Sequence, residues 1–176
     1  MSQPRRLQTT YLIVSGAATA RRVPGLIASL IPRVPNLMTV LTPNAERIVS
    51  PRELALAGEH RIVESFFDDA ILPRPPHGVL VVAPCSFNTL NKIAQGIADS
   101  LALSITAEAI GRGTPVIVAI SVNDPLWNHP KAKQSAQTLR DWGVTVLDPV
   151  LDQHGWLTMA PDEAIIEAVI AAHACD

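Results

Sequence analysis

Four short stretches of this 176-residue chain place hydrogen-bonding side chains directly after apolar runs, where a polar ligand could be held. The densest spans residues 83–89, with Ser86, Asn88 and Thr89 inside four positions at a predicted helix start. Capping that helix takes one such side chain. Three together point to a ligand as well. Residues 15–19 are small (Ser15, Gly16, Ala17, Ala18, Thr19), which lets backbone N–H groups approach an anion at the start of a following helix. The stretch lacks the GxGxxG and GKS/T fingerprints, and a tight turn packed with small residues explains it equally well. Thr42 and Asn44 follow a third apolar run and read first as helix caps. Ser121 and Asn123 follow a fourth.

Other reactive residue types carry less. Cys85, beside Pro84, reads as a small buried apolar residue because no activating partner stands near it in sequence. His60, His77, His129, His154 and His173 are scattered and read as surface or capping residues. Asp99, inside a long helical pattern, reads as a structural hydrogen-bond partner. Two cysteines make no disulfide framework, and no Cys/His spacing fits a metal.

The elements that position these loops follow from periodicity. Strands are predicted over residues 11–15, 37–41, 79–83, 115–120 and 144–147. Helices are predicted over 18–31, 44–49, 51–57, 89–112 (broken near Gly96), 130–142 and 161–173. Continuous apolar strands separated by helices mean a parallel sheet covered on both faces. The fold class is therefore α/β, a three-layer doubly wound sheet, with ligands expected at the carboxyl ends of the strands. Pro73, Pro75 and Pro76 forbid a regular helix over 68–78.

Composition sets the outer bounds. The chain is 48% hydrophobic and 17% charged with a net charge of −2, which excludes a disordered chain and a broad basic nucleic-acid surface. No apolar run approaches the ~20 residues that span a bilayer, and the start has no signal-peptide pattern. The expectation is one cytoplasmic domain over residues 10–176 after a flexible polar terminus of residues 1–9.

Residues 83–101 resemble the homo-oligomeric flavin-containing cysteine decarboxylases, a family that includes phosphopantothenoylcysteine decarboxylase and the peptidyl-cysteine decarboxylases of ribosomal peptide biosynthesis. The family signature runs P-x-S-A-N-T and then K-I-A-x-G-I-A-D-x-L. Pro84, Ser86, Asn88 and Thr89 match the first part, with Phe87 in place of alanine, and residues 92–101 match the second in full. Residues 15–18 look like the family's first phosphate loop, 40–45 like its second strand and loop, and 123–130 like its N-x-x-M-W-x-x-P segment.

The resemblance implies a flavodoxin-like Rossmann flavoprotein that assembles into trimers or multiples of trimers, with FMN near a subunit interface. By the family pattern Gly16, Ala17, Ser86, Phe87, Asn88 and Thr89 contact FMN, and Thr42 and Ser121 line the same cofactor. Asn123 would orient the carboxylate of a small-molecule or peptide substrate bearing a cysteine carboxylate. The departures concern catalysis. The family's catalytic histidine position is occupied by Ala70, and His77 restores a histidine only through a shifted alignment. The P-A-M-N motif is reduced to Ile120, Ser121, Val122 and Asn123. The family's cysteine-bearing clamp is replaced by residues 152–157, for which Cys175 is a poor substitute. Two functions compete. One is an FMN-dependent decarboxylase, and the other is an FMN-binding subunit that regulates or assembles with a partner. Prenyl transfer to reduced flavin is a third option, only faintly echoed in the first loop.

Overall fold

Alternation along β1 (Thr9–Val14) sets up the layers: Tyr11 and Ile13 enter one buried cluster, Leu12 and Val14 the other. In the computed structural model, which describes residues 9–175, β1 pairs in parallel with β2 (Leu37–Leu41) on one side and β4 (Gly78–Cys85) on the other. The short β3 (Arg61–Ile62) extends the β2 edge, and β5 (Val116–Ile120) and β6 (Thr145–Leu147) extend the β4 edge. The strand order β3-β2-β1-β4-β5-β6 reverses direction between β1 and β4, so the carboxyl ends of those two strands flank the switch point. Without the two-residue β3 the order is the flavodoxin-like one.

One face is covered by α4 (Phe87–Ala94), α5 (Leu101–Gly111) and α7 (Pro130–Asp141). Helices α1 (Val23–Leu30), α3 (Pro51–Ala55) and α8 (Asp162–Ala174) cover the other. The three-layer expectation holds, because strands buried on both faces carry no polar alternation.

Several boundaries differ. Thr9, assigned above to the polar terminus, is fully within β1; residues 1–8 and 176 of the expected ends lie outside the described residues. The first helix opens as a 3-10 turn over Ala18–Arg22 and becomes α-helical where Pro24 fits the first turn. The predicted 89–112 helix is two helices: Gly96 at φ +69° ends the first, and the Ser100 side chain caps the second. Helix α2 (Pro43–Glu46) starts one residue before the expected 44–49 helix and ends three residues short of it. Besides β3, three elements go beyond the sequence reading. Helix α6 (Asp124–Asn128) starts at a Pro-containing first turn that reads as loop. Strands β7 (Val150–Leu151) and β8 (Leu157–Thr158) form an antiparallel hairpin. No helix among the described residues is long and apolar enough to cross a membrane.

Candidate functional site

The loop after β1 is stitched to the loop after β4 by a fully buried serine. Ser15 Oγ donates to the Pro84 carbonyl at 2.7 Å and accepts the Ser86 N–H at 2.8 Å. The β1–β4 pairing runs to Ile13 and Val82, and this link continues the connection past Pro84, which has no N–H for a ladder. Ser86 then caps α4: it accepts the Thr89 N–H at 3.3 Å and donates to Thr89 Oγ1 at 3.1 Å. Two of the three polar side chains in this stretch are thus locked together. Asn88 stays exposed with its amide available.

Gly16 is required by close approach. A Cβ there would sit 2.6 Å from Asn44 Cβ and 3.1 Å from the Asn44 carbonyl carbon, well inside contact distance. Its absence lets residues 42–45 close against the first loop. Thr42 bonds its N–H to the Val14 carbonyl at 2.9 Å and caps α2 through its hydroxyl, the ordinary role its position suggests. At the end of β5, the Ser121 N–H reaches the Cys85 carbonyl at 2.9 Å, and the Ser121 and Thr19 hydroxyls meet at 2.7 Å. Asn123 caps α6 with Oδ1, which accepts the Leu126 N–H at 3.2 Å and leaves the amide hydrogens unspent.

These loops enclose one cleft of about 640 Å³, within the range that holds a cofactor-sized ligand. Gly16, Ala17, Thr42, Ser86, Phe87, Asn88, Thr89, Ser121 and Asn123 all line it. The hydroxyls, amides and first-turn N–H groups of loops 16–19, 42–44 and 86–89 form a polar side, while Phe87, Val122, Leu126 and Leu157 contribute apolar surface. That donor set suits a ligand with an oxygen-rich arm and a flat apolar ring, such as a flavin nucleotide. No Lys or Arg is among the lining residues, so an anionic group would rely on hydroxyls and backbone dipoles. Lys92 lies in a side groove sharing Thr42 and Asn88 with the cleft, and it is paired with Asp99 at 2.6 Å. Asp99 therefore has the structural partner expected of it, although it lies between two helices.

His77 does not reach the cleft. It precedes β4 at the amino end of the sheet, near Arg112, about 25 Å of strand away from Ser86. Ala70 packs partly buried against the core. Cys85 is buried, and desolvation pushes its thiol far above the ordinary value, in keeping with an inert core residue.

The sequence reading missed the hairpin. Asp152, Leu157 and Thr158 line the cleft, and Asp152 closes the hairpin turn. Its Oδ1 accepts the His154 N–H at 2.8 Å and the Trp156 N–H at 3.0 Å. Backbone donors, Trp156 foremost, hold its carboxyl below the usual carboxylate range. The available signal was the Asp152 to Gly155 spacing, with Gly155 at φ +79°. Arg22 fixes the chain beyond the hairpin, donating to the Met159 carbonyl at 3.0 Å, to the Ala160 carbonyl at 2.9 Å and to Asp162.

A sequence profile for the family described as Flavoprotein matches residues 2–173. The bifunctional coenzyme A biosynthesis protein CoaBC of Bacillus subtilis is 26% identical over 149 residues, covering 81% of this chain and 36% of that protein. The chain spans 36–40% of the length of the CoaBC proteins it matches. Mouse phosphopantothenoylcysteine decarboxylase is 28% identical over 177 residues, covering 91% of this chain and 86% of that protein. Among solved structures, the FMN binding protein AtHal3 superposes with a TM-score of 0.77, with 24% identity over 93% of this chain and 95% of that one. With a family match running through both buried faces and all four cleft loops, the chain belongs to the Flavoprotein family.

Proposed function

We propose that the cleft holds FMN and that the protein performs oxidative decarboxylation of a small molecule or peptide carrying a cysteine carboxylate. The observation that carries this reading is the meeting of four hydroxyl- and amide-bearing loops with an apolar wall at the switch point of the sheet. Names of relatives such as the mouse decarboxylase support the reaction class. Bound FMN supplies a two-electron acceptor beside the substrate thiol. The chain's own work is binding and orientation. Thr42, Ser86 and Thr89 offer hydroxyls to the cofactor's polar arm, and Phe87 and Ser121 line its ring. The unspent Asn123 amide hydrogens hold the substrate carboxylate. Among the described residues no histidine lines the cleft, and Asp152 Oδ1 is engaged by the amides of its turn.

The test is carbon dioxide release by the FMN-loaded protein from N-acylated cysteine, pantothenoylcysteine compounds and cysteine-ended peptides. Release from at least one class is expected; none from any class rejects the reaction.

Ala70 at the family's histidine position, with His77 at the far end of the sheet, favours a second reading. In it the chain is an FMN-binding subunit that modulates a partner. A stable partner in a pull-down, with no turnover by the isolated protein, selects it. The family resemblance supports a homotrimer or a multiple of trimers, and the free Cys85 and Cys175 thiols fit the reducing cytoplasm.

A further inference from the structure

Phe87 is the one aromatic residue among those lining the cleft, and it occupies a position where the family signature has alanine. Its ring is half-buried and packs against the core on one side while forming cleft wall on the other. It also meets the His129 ring edge-to-face, with centroids 5.4 Å apart and planes at 76°. Such pairs favour one mutual orientation.

His129 is itself held. Its Nδ1 accepts the Lys131 N–H at 3.0 Å as the cap of α7, so the neutral ring carries its hydrogen on Nε2. Its own N–H donates to the Leu126 carbonyl at 3.3 Å, closing α6. Helix α7 is tied to α4 through Ser135 Oγ, which donates to Asn91 Oδ1 at 2.7 Å. Phe87 and His129 therefore stand on two helices locked in one frame. A capping histidine needs no aromatic neighbour, and Phe87 needs no histidine to stay apolar. Their pairing fixes where the Phe87 ring stands in the cleft.

We propose that Phe87 and His129 form an aromatic wall for the flat ring of the bound cofactor, Phe87 as the contact and His129 as the positioning residue. The inference rests on the FMN reading above and adds to it a residue outside the cleft lining. Substituting either residue alters the environment of the ring, and His129 acts only through Phe87.

The test is a double-mutant cycle on the full chain, titrating FMN-free protein with FMN by fluorescence and recording the melting temperature of each unliganded variant. Phe87→Ala is expected to weaken FMN binding roughly 5- to 30-fold. His129→Asn keeps a good cap for α7. It is expected to leave the melting temperature close to the parent's while weakening FMN about threefold or more. In the Phe87→Ala background the same His129→Asn change is expected to have no further effect, because the ring it positions is gone. Phe87→Leu keeps apolar bulk and takes the place of alanine if that variant does not fold. Equal effects of His129→Asn in both backgrounds, or none in either, overturn the inference while leaving FMN binding intact. A parent protein that does not bind FMN removes both the inference and the reading beneath it.

Discussion

Ser15 Oγ accepts the Ser86 N–H at 2.8 Å, and through that bond the end of β1 sets the start of α4. Both loops of the switch point are thereby fixed relative to each other before any ligand enters. The same hydroxyl satisfies the Pro84 carbonyl, so a single buried side chain serves an acceptor from β4 and a donor from the cap of α4.

Ser15→Ala leaves the Ser86 N–H without its buried partner. The expected loss is about 1–3 kcal/mol of stability in urea unfolding, together with weaker FMN binding. An unchanged unfolding midpoint and unchanged affinity would show that the bond is incidental.

Gly16→Ala drives a Cβ to 2.6 Å from Asn44 Cβ, so loop 42–45 must move outward. Overpacking of this kind costs about 1–3 kcal/mol, and about tenfold weaker FMN binding is expected by titration. Alanine at Gly111, where nothing lies within 4 Å of the added carbon, is the control and should not move the affinity.

His77→Ala is expected to keep FMN affinity and any turnover within about twofold, since the residue stands at the amino end of the sheet. A large loss in turnover with unchanged affinity would return His77 to the reaction.

The hairpin is expected to loosen in acid. The folded-state pKa of Asp152 is depressed by the Trp156 N–H first, then by the other turn amides. Its contribution is therefore complete above the unfolded value of about 3.9 and is lost as pH falls through the lower folded value. Hydrogen-exchange protection of the Trp156 amide, corrected for intrinsic rate, should fall below about pH 4 in the parent. In Asp152→Asn it should start low and stay flat.

Much of this was open to reading in the residues. The apolar runs from Tyr11, Leu37, Val79 and Val116 place four strands, and the polar residues that follow each run line the cleft. Parallel strand direction also places His77, which precedes β4, at the amino edge of the sheet. The hairpin of β7 and β8 escaped because each strand has two residues, too few for any period, and because its pairing partner is only itself. The Phe87 and His129 contact escaped for another reason: residues 42 positions apart meet only through the packing of α4 on α7.

The most direct test of the account is the visible absorption spectrum of the purified protein, before and after adding FMN, taken with its mass in solution. The account predicts flavin bands, present at once or gained with FMN, on a particle of trimer size. A colourless protein that leaves the FMN spectrum unperturbed would contradict it.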